Sequence, residues 1–147
     1  MDTCATYDDV NLILRLYEMR REKRLREARA WFTKFFHANS VKEFQELCTA
    51  GSEENASYRM VTSYWEMVAS FVSAGVLQKT LFFQSGYEML LVWTRIGDMV
   101  PEYRETMKSP FVYENLEKVA KYYIEWMETR APGSYGAFRE RIRGMGR

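Results

Sequence analysis

The sequence predicts an all-α protein, a single-domain helical bundle of about five helices with short loops and a long first helix. Apolar residues recur at three- and four-residue steps in several long segments, which is the spacing of one helix face. No segment alternates apolar and polar residues as a half-buried strand does. A chain of 147 residues is one ordinary domain. We predict the bundle in residues 1–131 and a basic C-terminal tail in residues 132–147.

The first helix is predicted to run from Asp8 to about Phe36. Thr6 is suited to cap its N-terminus, because a threonine side chain accepts a backbone N–H and an aspartate follows at the third helical position. An apolar seam continues at helical spacing along this segment, but Arg21 and Arg24 fall on it. A seam that turns cationic indicates a helix that leaves its own core for solvent, a second chain or a polyanion.

Two further helices are marked by their ends. Ser40 and Glu43 have the spacing of a capping box and open a short helix that stops before Gly51. The next helix starts at Glu53, and its apolar residues recur on one face. It is predicted to end at Gly75, where a left-handed residue closes a Schellman motif.

Turn residues and prolines divide the second half of the chain. Residues 76–83 are interpreted as an apolar connector with room for one short helical turn. Residues 85–88 repeat the capping-box pattern, and Pro101 must kink the helix that follows or force a new one to begin. Pro110 marks the start of the last long helix, which residues 131–133 end.

The start of the first helix is apolar almost all round, which is more than the single stripe that a surface helix needs. Such a helix must be covered on several sides, either by its own bundle or by a second copy of the chain. Its position before a charged stretch favours a homodimer with two-fold symmetry, and the alternative is an unusually buried terminal helix. The residues predicted to self-associate are Val10, Leu12, Ile13, Leu16, Tyr17 and Met19.

Residues 20–29 form a basic block with six basic and two acidic side chains, although the whole chain has a formal net charge of +1. Such a helix can neutralise phosphates, and Arg139, Arg141 and Arg143 of the tail extend the basic character. The ordinary interpretation is a solvated helix face, since no aromatic residues are interleaved to stack on bases. The predicted anion-binding residues are Arg20, Arg21, Lys23, Arg24, Arg26 and Arg29.

Little in the sequence indicates catalysis or a bound metal. The single histidine, His37, lies in a predicted loop, and Cys4 and Cys48 lack the spacing of a metal site or a redox pair. Glu88 and Arg95 stand seven residues apart on one helix face, which we interpret as solvent-exposed. We predict no catalytic, metal-binding or cofactor-binding residues, and a cytoplasmic protein without a transmembrane segment.

Several motifs stand out between Leu12 and Tyr123: Tyr64-Trp65-Glu66, Gly75-Val76-Leu77, Leu81-Phe82-Phe83, Leu90-Leu91 with Trp93, and Pro101 with Tyr103-Arg104. With these motifs the chain resembles an uncharacterised family of small all-helical bacterial domains of unknown function. The resemblance implies a helical fold and brings no activity, cofactor or catalytic residue. Some members of that family place a membrane-spanning helix before the helical domain, and no such helix is predicted here.

The leading hypothesis is a non-enzymatic, self-associating helical protein-interaction module, with a homodimer and a further protein partner expected. The alternative is binding of nucleic acid or another polyanion through the basic block, which requires a steep loss of affinity with added salt. An enzyme ranks third, because the polar groups are too generic to indicate a reaction.

Overall fold

The structure is a computed structural model that describes residues 3–145. Within this range all regular elements are helices, which confirms the all-α prediction. The helices of the described residues are α1 (Tyr7–Arg20), α2 (Lys23–Phe35), α3 (Val41–Leu47), α4 (Glu53–Ser73), α5 (Lys79–Phe83), α6 (Tyr87–Ile96), α7 (Val100–Met107), α8 (Glu114–Arg130) and α9 (Ser134–Gly144).

The longest helix, α4, organises the core. It packs against both α2 and α8, while α6 packs on α4 and α8. Its side chains Tyr58, Trp65 and Val68 are each at most 1% exposed. Side chains of α2, α6 and α8 complete one continuous core around them, so the two halves of the chain fold as a single unit.

The predicted long first helix is wrong, because the segment forms two helices that separate at residues 21–22. Glu22 leaves the helical conformation (ψ 141°) and caps α2, where its carboxylate accepts two backbone N–H groups at 3.0 Å each. The guanidinium of Arg29 donates to the Arg20 carbonyl at 2.8 Å and satisfies an acceptor that the end of α1 leaves open. The break coincides with the cationic interruption of the apolar seam.

The prediction of about five helices is also too low. Besides the break in the first helix, α5, α7 and α9 form where a connector, a restart and a tail were predicted. Pro101 lies in the first turn of α7, where its missing N–H removes no helical hydrogen bond. The last long helix begins at Glu114 rather than Pro110, because residues 110–113 form a turn that ends with Tyr113 in the left-handed conformation (φ 57°).

Three predicted helix ends are confirmed. Thr6 and Asp9 form a reciprocal capping box, with the Thr6 N–H donating to the Asp9 carboxylate at 2.7 Å. The Ser40 hydroxyl accepts a backbone N–H from the first turn of α3 at 3.1 Å. Gly75 is left-handed (φ 78°), and the next N–H bonds to the carbonyl five residues earlier at 3.0 Å, as a Schellman motif requires.

The predicted basic tail, residues 132–147, contains α9. Phe138 and Ile142 of this helix are 6% and 4% exposed and belong to the same core cluster as α4. α9 packs on α6 and α8. Residues 146–147 of the predicted tail lie outside the described residues.

Candidate functional site

One side of α1 exposes a row of apolar side chains. Tyr7, Val10, Leu14 and Tyr17 are 79%, 39%, 54% and 46% exposed. Their 3-4-3 spacing places them on one helix face. We call these four residues the α1 stripe. Single exposed apolar residues are ordinary, whereas a contiguous row of them is typical of an interaction surface.

The opposite side of α1 is anchored in the bundle. Leu16 is 4% exposed, and its carbonyl accepts the hydroxyl of Tyr64 from α4 at 2.5 Å. The Asp9 carboxylate accepts the backbone N–H of Gln78 at 2.9 Å. This bond, with the N–H of Thr6, lowers the pKa of Asp9. These contacts fix the orientation of α1 and turn the stripe to solvent.

The six residues predicted to self-associate divide between the two sides of α1. Leu16 lies in the chain's own core, two others pack against that core, and three are exposed. The stripe also contains Tyr7 and Leu14, which the prediction did not name, although their helical spacing with Val10 and Tyr17 is present in the sequence. The pair that packs against the core is Leu12 and Ile13, and the exposed residues are Val10, Tyr17 and Met19.

An ion pair between Arg29 and Glu88 joins α2 to α6. Two hydrogen bonds form it, 2.7 Å from Nε to Oε1 and 2.6 Å from Nη2 to Oε2. The two side chains are 22% and 15% exposed. The hydrogen bonds that Arg29 donates to the Glu88 carboxylate raise the pKa of Arg29. The predicted capping role and solvent-exposed position of Glu88 are therefore wrong, and Gly86 stands at the N-cap of α6 without a side-chain bond.

Replacing Glu88 with glutamine should lower the free energy of unfolding by about 2–3 kcal/mol, because the largely buried Arg29 loses its counter-charge. The matched control is Glu53→Gln. The Glu53 side chain is 88% exposed and meets Arg24 at 3.2 Å in contact with solvent, so its loss should cost less than about 1 kcal/mol. Urea unfolding measures both values, and equally small losses would contradict the structural role of the Arg29–Glu88 pair.

The other residues of the basic block differ in how far they contact the rest of the chain. The Arg20 guanidinium lies 5.3 Å from the ring centre of Trp65, a cation–π distance, and Arg24 bonds to the hydroxyl of Ser57. With Arg29, three of the six predicted anion-binding residues contact other helices of the chain. The other three, Arg21, Lys23 and Arg26, are exposed, although Arg21 lies 5.5 Å from the ring centre of Tyr17 and Arg26 donates to the Arg21 carbonyl at 3.5 Å.

Residues 5–126 match a family described as a domain of unknown function, DUF4760. The chain belongs to the DUF4760 family. The match confirms the predicted resemblance to a family without a known activity, and it ends within α8, before α9. No curated protein and no solved structure matches the chain. In residues 3–145 of this DUF4760 protein, none of the helices has the length and apolar character needed to cross a membrane.

The DUF4760 core buries several groups that are reactive when ionised. Cys48 is 2% exposed, and burial raises the pKa of its thiol to about 11. The Tyr113 hydroxyl lies 2.8 Å from the Tyr58 hydroxyl and donates to Thr62 at 3.2 Å, and burial raises the pKa of Tyr113 to about 12. Among the described residues, no group of three or more His, Cys, Asp or Glu side chains is placed to hold a metal ion.

Arg95 of the DUF4760 protein is buried, which contradicts its predicted solvent-exposed position. Its residue surface is 7% exposed, and its guanidinium donates to the carbonyls of Phe36 at 2.6 Å and Ile142 at 2.9 Å. It therefore satisfies carbonyls at the C-terminal ends of α2 and α9, which carry partial negative charge. Burial lowers the pKa of Arg95. The sequence alone did not place these two helix ends beside α6.

Proposed function

We propose that this protein is a non-enzymatic helical module that self-associates through the α1 stripe. The observation that carries the proposal is a row of four apolar side chains on a helix whose other side is anchored. Four side chains cover less than the ~800 Å² per partner of a standard interface. We therefore expect a dimer that dissociates in the micromolar range.

A second copy of the chain is the partner that the stripe fits best. The 3-4-3 spacing matches the seam positions at which two helices pack side by side. α1 carries Asp8 in its first turn and ends at Arg20, with Arg21 directly after it. Antiparallel pairing about a two-fold axis places the acidic end of one α1 beside the basic end of the other. Parallel pairing would bring like charges together.

The non-enzymatic part of the proposal is supported by the neutral state of the buried groups. Cys48 and Tyr113 have raised pKa values, and a protonated thiol or phenol is a poor nucleophile. Cys4 and Cys48 are unpaired, which is typical of a reducing compartment. We propose that the protein acts in the cytoplasm.

Leu14→Glu should convert the dimer to a folded monomer, because antiparallel pairing would press the new carboxylate against the apolar stripe of the other copy in a partly desolvated seam. The matched control is Met19→Glu, which puts the same charge on an apolar α1 residue that is 44% exposed but lies off the stripe. Sedimentation equilibrium over a concentration series measures the dimer, and circular dichroism checks the helices. A wild-type protein that stays monomeric at high concentration would refute the proposal, as would equal dissociation of both variants.

Polyanion binding is the alternative function, and the exposure of Arg21, Lys23 and Arg26 is the observation that favours it. The same sedimentation experiment distinguishes it when a short DNA duplex is added at low and high salt. A monomer that binds the duplex only at low salt would support this alternative, because release of counterions makes such binding salt-dependent. A dimer that persists at high salt and does not bind the duplex supports self-association.

A further inference from the structure

A second feature of the molecule lies away from the α1 stripe. A cavity of about 300 Å³ opens between the loop that joins α2 to α3, the end of α6, and α9. Its lining includes three arginines, Arg95, Arg139 and Arg143, and one carboxylate, Asp98. A cavity of this size is at the lower end of those that hold small molecules.

Within the described part of the chain, the buried arginine of this cavity lacks a full counter-charge. Among residues 3–145, no carboxylate lies within 4.0 Å of the Arg95 guanidinium, and its partners are backbone carbonyls. Its Nε is buried and has no hydrogen-bond acceptor among these same residues. A buried charge is costly unless it is paired and hydrogen-bonded, and the partial charges of helix ends offset only part of that cost.

The other charged side chains of the lining leave the cavity positive. Asp98 contacts Arg139 at 3.9 Å, a loose ion pair, and the Arg143 guanidinium contacts Glu140 at 3.3 Å on the surface of α9. The side chains of Arg139 and Arg143 are 41% and 53% exposed, so both can adjust to a ligand. Three arginines face one carboxylate in the lining, which favours an anion there.

We propose that this cavity binds a small phosphorylated anion, either inorganic phosphate or a phosphomonoester. Buried Arg95 supplies positive charge from within the protein, while Arg139 and Arg143 hold oxygens of the anion from α9. Guanidinium groups match phosphate oxygens in geometry and charge. The Asn39 amide and the Thr94 hydroxyl, also in the lining, add neutral hydrogen-bonding groups. A dianion gains more from this charge than a monocarboxylate of similar size.

Isothermal titration calorimetry of the full chain tests the proposal, with inorganic phosphate, methyl phosphate and acetate at constant ionic strength. We expect one phosphate per chain and little heat with acetate. Arg139→Gln and Arg143→Gln should each weaken phosphate binding about tenfold, the loss typical of one charge-assisted hydrogen bond. Arg141→Gln is the matched control on the same helix. The Arg141 guanidinium lies 5.8 Å from the ring centre of Phe138, and the residue does not line this cavity.

The phosphate source and the role of Arg95 are separated by two further comparisons. Tighter binding of methyl phosphate than of phosphate indicates a phosphomonoester, and the reverse indicates the free ion. Arg95→Lys keeps a positive charge but loses the planar guanidinium. It should reduce phosphate binding more than Arg139→Gln or Arg143→Gln does, and circular dichroism should still show a folded protein. Absence of saturable binding of both phosphates overturns the proposal, as do equal affinities in the Arg139, Arg143 and Arg141 variants.

Discussion

Replacing Trp65 with alanine should remove about 3–5 kcal/mol from the free energy of unfolding, a large part of the stability of an ordinary domain. Trp65 is 0% exposed and packs edge-on against Tyr64 at a ring-centre distance of 4.9 Å. It lies where α1 meets α4. It lines a small gap together with Leu16 of α1, and the Arg20 guanidinium lies over its ring. The truncation leaves a cavity that the surrounding side chains refill only in part.

Urea unfolding of the Trp65→Ala variant measures the loss. Val76→Ala is the control, because Val76 is 65% exposed and its truncation should change stability by less than about 0.5 kcal/mol. Hydrogen exchange adds a local readout, since amide protons of α1 should lose protection before those of α8. A loss no greater than that of the control would show that α1 is not anchored at Trp65.

Helix ends that depend on near neighbours were predictable from the sequence. The Thr6 cap, the Ser40 cap and the Gly75 Schellman motif each need residues only a few positions away. The break at Glu22 was missed because glutamate is not a preferred cap, and because Arg29 completes the end of α1 from the next helix. The arginines on the seam were a signal for this break, but they also suited an uninterrupted helix.

The candidate surfaces depend on packing between distant parts of the chain. Glu88 and Arg29 are 59 residues apart, and Arg95 meets carbonyls 59 and 47 residues away in Phe36 and Ile142. Helical spacing gives the angle between Leu14 and the core-facing side of α1, but it does not say which face of this apolar helix meets α4. That choice requires the tertiary contacts of α1.

Raising the pH from about 9 to 12 should reduce stability steeply, because several buried groups ionise at lower pH in the unfolded chain than in the folded one. Burial raises the pKa of Cys48 from 9.0 to about 11 and the pKa of Tyr123 from 10.0 to about 12. The pKa of Tyr113 rises to about 12 and that of Tyr58 rises as well. A raised folded-state pKa contributes stability that is complete below the unfolded-state pKa and is lost as the pH rises towards the folded-state value.

A folded-state pKa that lies two above the unfolded-state value contributes about 3 kcal/mol, a large share of the stability of an ordinary domain. Urea unfolding at a series of pH values measures how steeply the free energy of unfolding falls with pH. Cys48→Ala and Tyr123→Phe should each reduce this slope.

Tyr123→Phe also loses a 2.6 Å hydrogen bond to the Phe83 carbonyl. Its free energy of unfolding should therefore be lower at neutral pH but fall less steeply as the pH rises. Val76→Ala, which removes no titratable group at a position 65% exposed, should keep the wild-type slope. A wild-type slope that Cys48→Ala leaves unchanged would mean that the folded protein ionises this thiol readily, and the non-enzymatic proposal would then lose its main chemical support.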